Sequence, residues 1–335
     1  MGRAVTRREL LKGLGSAGVG AAFGRSLLEG LEAEGGKSRV VLVREKSAMG
    51  SDDRIDEKTV RKMVDLAVAR LVGKKSPTDA WKSLFSPNDI VGIKINCLFG
   101  PGIYTSPEVV DAVINGLISA GVPEEQIIVW DRSERDMEKS GYVISRSGKG
   151  VQYIATNSPG VGYEPNRTSK GSFNGRLSRI LTKATAIVNV PILKDHNIAG
   201  VTIAMKNHYG SISNPGDHHG NNCDPYLADL NSIPEIKDKT RLIICDAIYP
   251  LAEGGPGNKP SYRWRYCGII ASKDPVALDY IGWRIIEDRR KEIGLPELAA
   301  VGRPPKWIDT AARLGLGTND PSKIDLVRIE GIGRG

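Results

Sequence analysis

Ile90-Val91-Gly92-Ile93-Lys94-Ile95, then Ser106-Pro107-Glu108 running on to Gly121, then Ile127-Ile128-Val129-Trp130, reads as strand, helix, strand. Ser106 is a helix N-cap residue, Pro107 suits the first helical position, and Gly121 closes the segment. Working outward, Val40-Val41-Leu42-Val43 is a preceding strand, and Val60, Met63, Val64, Ala67, Val68 and Leu71 recur at helical spacing. Further strands are expected near 151–154, 186–190, 242–245, 268–271 and 324–329, and helices near 276–286 and 307–314. Repeated βαβ units give an α/β fold, with a mostly parallel sheet and helices on both faces. A single α/β domain over 38–335 is expected. The Gly-, Ser- and Asn-rich stretch 157–174 is the candidate boundary between two lobes.

The 335 residues are 40% hydrophobic and 26% charged, the composition of an ordinary soluble protein. Thr6-Arg7-Arg8-Glu9-Leu10-Leu11-Lys12 precedes an uncharged run of small and apolar residues from Gly13 to Phe23. This segment resembles a twin-arginine export signal, so residues 1–30 are set apart from the fold. The resemblance implies the twin-arginine machinery as a partner and an exported, periplasmic location. It also implies folding before export, which raises the expectation of a bound cofactor. No Ala-x-Ala site follows, and an uncleaved signal would be the one membrane contact. Without residues 1–30 the formal charge falls from +8 to +5. Aromatic residues make up 6%, and no Lys/Arg run is interleaved with them, so nothing supports nucleic-acid binding.

Cys97, Cys223, Cys245 and Cys267 form no CxxC pair, which argues against a ferredoxin-type cluster or a zinc ribbon. Buried free thiols are the default, with a Cys245–Cys267 disulfide as the alternative in an exported protein.

In open α/β sheets ligands collect beyond the carboxyl ends of the strands. Those ends are polar here: Asn96-Cys97, Asp131-Arg132, Lys194-Asp195-His196 and Asp246. The four histidines, His196, His208, His218 and His219, fall in one stretch together with Lys194, Lys206, Asn207 and Cys223. Ile198 to Met205, between the polar clusters, reads as a buried helix or turn-helix. Lys194 and His196 are candidates for holding an anion and moving a proton, with His196 the base by type. Asp246 and Glu253 are the candidate carboxylates. Asn96, Lys206, Asn207 and the backbone of Gly254 and Gly255 are candidates for cofactor contact. His208 with His218 or His219, plus Asp217 or Cys223, would make a three-ligand open metal site, whose ligands suit nickel, iron or zinc. Asp274 with Pro275 reads first as a helix N-cap.

The blocks Val91-Gly92-Ile93-Lys94-Ile95-Asn96, Thr105-Ser106-Pro107-Glu108, Pro191-Ile192-Leu193-Lys194-Asp195-His196, Met205-Lys206-Asn207, Glu253-Gly254-Gly255-Pro256 and Asp274-Pro275-Val276-Ala277-Leu278-Asp279 resemble, in order and spacing, the "domain of unknown function 362" family. Some members carry ferredoxin-like modules, which this chain lacks. A more distant similarity, on Lys194, His196 and Lys206, is to the N-terminal part of nickel-dependent lactate racemases, where the matching groups hold a nickel-bearing nucleotide. Together these readings point to a metal- or cofactor-dependent isomerase or oxidoreductase acting on a small anionic substrate by proton transfer or redox chemistry. The alternative is a non-enzymatic periplasmic anion-binding protein.

Overall fold

The computed structural model describes residues 36–332. The segment 1–30 read as an export signal lies outside them. In chain order the strands are β1 (Ser38–Arg44), β2 (Val91–Lys94), β3 (Ile127–Asp131), β4 (Gln152–Ala155), β5 (Thr168–Lys170), β6 (Phe173–Gly175), β7 (Ala186–Asn189), β8 (Ile192–His196), β9 (Gly200–Thr202), β10 (Thr240–Leu251), β11 (Gly268–Ser272) and β12 (Ile324–Glu330). The α-helices are α1 (Glu57–Leu71), α2 (Pro77–Lys82), α3 (Pro107–Ser119), α4 (Glu134–Lys139), α5 (Arg179–Lys183), α6 (Ala204–Asn207), α7 (Tyr226–Asn231), α8 (Pro234–Lys237), α9 (Pro275–Glu292) and α10 (Trp307–Arg313).

Ten strands form one sheet in the order β12-β1-β11-β10-β7-β2-β3-β4, with β8 on β10 and β9 on β8. Every pairing is parallel except those of β11 with β1 and β10, and of β9 with β8. The pleat sends alternate residues to two cores. Val41, Ile93, Ile127, Val129, Val188 and Ile244 pack with α1–α3, while Val40, Leu42, Ile128, Trp130, Ile187 and Ile243 pack with α5–α10. The sheet is therefore α/β, mostly parallel and covered on both faces. β7, which follows the stretch 157–174, pairs with β2, which precedes it.

The sheet forks after β7. Asn189 lies opposite Lys94 of β2, and Val190 N donates to Lys94 O at 2.8 Å. Pro191 has no N–H to give a neighbour. Beyond it the chain continues as β8 beside the second half of β10, with Ile192 opposite Asp246 and Lys194 opposite Leu251, and β10 bulges between these pairs. The carboxyl ends of β2 and β3 lie on one side of the fork and the β8–β9 hairpin on the other.

The helix expected over Ile198 to Met205 is replaced by β9 and the one-turn α6. Gly200 has φ +80°, and a Cβ there would come within 2.4 Å of Arg303 O, so only glycine allows this turn. Lys194 then pairs with Thr202 and His196 with Gly200. Ser106 does precede α3, but it makes no side-chain cap bond, because its hydroxyl donates to Asp246 at 2.6 Å. Asp274 caps α9 through Val276 N and Ala277 N, both at 2.8 Å. All four cysteines are free and buried, and no disulfide joins Cys245 to Cys267.

Candidate functional site at the fork in the sheet

Asn207, at the end of α6, spans the fork. Its Nδ2 donates to Lys94 O at 3.0 Å and Asn189 Oδ1 at 2.8 Å, and its Oδ1 accepts from Asn96 Nδ2 at 3.1 Å and Lys94 Nζ at 3.3 Å. That uses the full capacity of a carboxamide. Lys94, 1% exposed, also pairs with Asp131 at 2.9 Å, and Asp131 accepts Cys97 N at 2.7 Å. Asn96 Oδ1 is left buried without a hydrogen-bond partner, as is Thr202 Oγ1 beside Lys194. Buried acceptors of this kind are uncommon and invite a ligand or a water.

Lys194 and Lys206 lie deeper than expected, at 0% and 5% exposure. Lys194 donates only to Pro256 O, at 3.3 Å, and Lys206 donates to His219 Nε2 at 3.0 Å, approaches Cys223 Sγ at 3.8 Å and covers the Tyr209 ring at 4.0 Å. Among the described residues neither ammonium has an ion pair. Burial lowers both pKa values from 10.5 to about 8. For Lys194 the charges of Asp131, Cys97 and Asp195 oppose the shift and that of Lys206 adds to it.

The two histidines beside them have assigned roles. His219 Nδ1 donates to Pro215 O at 2.8 Å, which leaves Nε2 as the lone pair facing Lys206. Its pKa falls to about 4 through burial and then the Lys206 charge. His196 stacks near-parallel on it, with centroids 5.6 Å apart. His196 Nδ1 accepts Ile198 N at 3.1 Å and Ala199 N at 3.2 Å, so the neutral ring carries its proton on Nε2. Burial first, and then Lys206, His219, Lys194 and Arg303, push its pKa far down. His196 Nε2 thus has a proton to donate, and His219 Nε2 presents a lone pair.

Cys223 reaches this cluster because Asn221, Asn222 and Cys223 all take left-handed φ values of 47°, 58° and 67°. Three such residues in a row are costly away from glycine. Asn222 pins the turn by donating to Ile198 O at 2.8 Å and Gly302 O at 3.0 Å.

Several expected residues have other occupations. Gly254 N and Gly255 N donate to Asp195, at 3.2 and 2.7 Å, so the anion held by this loop is the protein's own carboxylate. Glu253 bonds Arg290 and, at 2.6 Å, Arg303, which also pairs with Asp195 at 3.0 Å. Burial works against its charge, yet the two guanidiniums hold Glu253 below the usual carboxylate range. It is an anchor of the loop. Asp246 turns toward α3, where it accepts Ser106 N at 2.8 Å and Ile248 N at 3.0 Å, and burial raises its pKa.

The proposed metal trio does not converge. His208 is buried between Asn189 Nδ2 at 3.3 Å and Ser211 Oγ at 3.4 Å, with its pKa lowered to about 3 by burial and by Lys94. The His218 ring is packed against Phe173, Tyr209 and Tyr226. His219 Nε2 is taken by Lys206. Among the described residues no group of three or more His, Cys, Asp or Glu side chains is arranged to hold a metal ion. The donor set therefore does not fit nickel, iron or zinc, and no step below runs through one.

Sequence reasoning gave no role to Lys94, Asn189, Arg303 or Asp279. Asp279 is fully buried on α9 and accepts Ala204 N at 2.7 Å and Met205 N at 3.0 Å, fixing the start of the turn that carries Lys206 and Asn207. Its signal was an acid on the apolar stripe of Val276, Gly282 and Ile286. The signal of Lys94 was a charge inside a central strand.

The fold is an open, mostly parallel α/β sheet with two buried lysines, Lys194 within β8 and Lys206 in the one-turn α6. Residues 91–284 match the family described as "Domain of unknown function (DUF362)". The match spans more than half of the chain, and the protein belongs to that family. No curated protein sequence matches it. Among solved structures it is similar to the lactate racemase apoprotein from Thermoanaerobacterium thermosaccharolyticum, at a TM-score of 0.42 and 14% identity, covering 74% of this chain and 57% of that one. The chain thus spans little more than half of that protein's length, and a likeness at this level assigns no residue a role.

Asp279 makes a pH-dependent test of how the site is held. Burial raises its pKa from 3.8 to about 8, so the folded state binds its proton more tightly than the unfolded chain. Its contribution is fully present below pH 3.8 and is lost as pH rises through 8. Asp279→Asn should remove that slope from the unfolding free energy measured in urea. It should also cost about 1–3 kcal/mol at low pH, because one backbone N–H loses its acceptor. An unchanged slope would remove Asp279 from this role.

Proposed function

We propose that the protein holds a small anion, a carboxylate or a phosphate, on Lys194 and Lys206 and moves a proton at that site. The observation that carries this reading is the burial of two ammonium groups without an ion-pair partner among the described residues. A depression from 10.5 to about 8 corresponds to on the order of 3 kcal/mol per lysine against the folded state at neutral pH. A bound anion would return that free energy as binding. The unpartnered Asn96 Oδ1 and the Nε2–H of His196 add an acceptor and a donor of hydrogen bonds.

Proton transfer is supported by the Lys206–His219 contact. A lysine titrating near 8 is populated in both forms near neutral pH, and the His219 lone pair accepts from it. A non-enzymatic anion-binding protein is the alternative, and its signature is binding without turnover of any bound acid. We also propose that residues 1–30 direct export by the twin-arginine route, leaving the mature protein extracytoplasmic. Replacing Arg7 and Arg8 by Lys should then retain the protein in the cytoplasm on cell fractionation, and unchanged export would refute this.

The anion reading fixes a pH dependence. The lysines must be protonated to bind, so affinity should be flat below their pKa and fall as pH rises through about 8. Inorganic phosphate or a small carboxylate at a hundred times its Kd should stabilise the protein by roughly 2.7 kcal/mol near pH 7. The Lys194→Met/Lys206→Met double variant should lose this shift. A shift that is the same in the double variant, or that is independent of pH, contradicts the proposal.

A further inference from the structure

Lys206 has the surroundings of a nucleophile as well as those of a cation. Its Nζ lies 3.0 Å from His219 Nε2, whose other nitrogen is tied to Pro215 O, so the lone pair facing the lysine is fixed. The Tyr209 ring forms an apolar floor 4.0 Å away. No carboxylate pairs with the ammonium among the described residues, and a neutral amine would strand no buried countercharge. The Lys206 charge adds to the lowering of the Lys194 pKa, so the two buried ammonium groups feel one another. A desolvated lysine next to another cation is how an amine becomes nucleophilic near neutral pH.

We propose that Lys206 forms an imine with the carbonyl carbon of a small 2-oxo acid whose carboxylate is held by Lys194. This rests on the anion-binding reading and adds a substrate class and a covalent step to it. The step balances without an oxidant or a cofactor. The Lys206 ammonium gives one proton to His219 Nε2, and the free amine adds to the carbonyl carbon to form a carbinolamine. The C–O bond then breaks, its oxygen leaves as water with the two remaining nitrogen protons, and a C=N bond is left. Return of the proton from His219 gives the iminium, whose positive nitrogen acidifies the hydrogens on the adjacent carbon. Burial at 5% exposure protects that species from hydrolysis by bulk water.

The test incubates the full chain with pyruvate or 2-oxobutyrate, reduces with borohydride, and maps the modified lysine by peptide mass spectrometry. A calorimetric titration of the same acids is run in parallel. A reduced adduct on Lys206 is expected, with trapping down by at least about tenfold in Lys206→Arg, which keeps the charge but cannot form an imine. Lys194→Met should weaken binding of the acid and leave whatever adduct does form on Lys206. Because the adduct is located in the wild-type protein, the result does not depend on a variant that folds poorly. Binding without an adduct, or an adduct on another lysine, overturns the imine and leaves the anion site standing. If none of these acids binds, and phosphate does not bind either, both fall.

Discussion

The carboxamide of Asn207 holds the fork in the sheet. At the carboxyl end of β2 the Lys94 carbonyl accepts Val190 N from β7's extension and the Asn207 carboxamide as well. Asn207 takes that carbonyl and Asn189 with its two protons and receives Lys94 and Asn96 on its oxygen. Because α6 is a single turn, the residue that bridges the fork is adjacent in sequence to Lys206. Fold closure and site geometry are therefore one problem, solved by Asp279 below the turn and Asn207 above it.

The electrostatics divide the buried charges into two groups. Asp195, Glu253, Arg290 and Arg303 neutralise one another and fasten the 253–257 loop to the β8–β9 hairpin. Lys94 and Asp131 do the same for the ends of β2 and β3. Among the described residues Lys194 and Lys206 have no such partner, and a buried charge without one destabilises the fold. Features that oppose stability concentrate at functional sites. The three left-handed residues 221–223, which bring Cys223 to Lys206, are a second such feature in the same place.

Much of the sheet was legible because parallel strands buried on both faces read as apolar runs, as 127–130 and 242–245 do and as 90–95 does apart from Lys94. The strands β8 and β9 were not, because Lys194, Asp195 and His196 interrupt the apolar pattern, and because the turn depends on Gly200 lying against Arg303, a contact about a hundred residues distant in sequence. Lys194 and His196 were visible as polar residues at a strand end, and Lys206 and Asn207 as a polar cluster beyond the Ile198–Met205 segment. The roles of Glu253, Gly254 and Gly255 were not legible, since Asp195 and Arg303 satisfy them through tertiary contacts. The histidine cluster in the sequence disperses for a similar reason: His208, His218 and His219 each find a different partner within a short loop.

The proposed anion site rests on the Lys194 and Lys206 ammonium groups, which are buried without an ion pair among the described residues. It is tested most directly by a pH titration of protein labelled with 13C at the lysine ε-carbons, read by NMR and assigned with single Lys→Arg variants. The account predicts two resonances with midpoints near 8, both moving upward when a small anion is added. Midpoints at the ordinary value of 10.5 for both residues, unmoved by any anion, would contradict it.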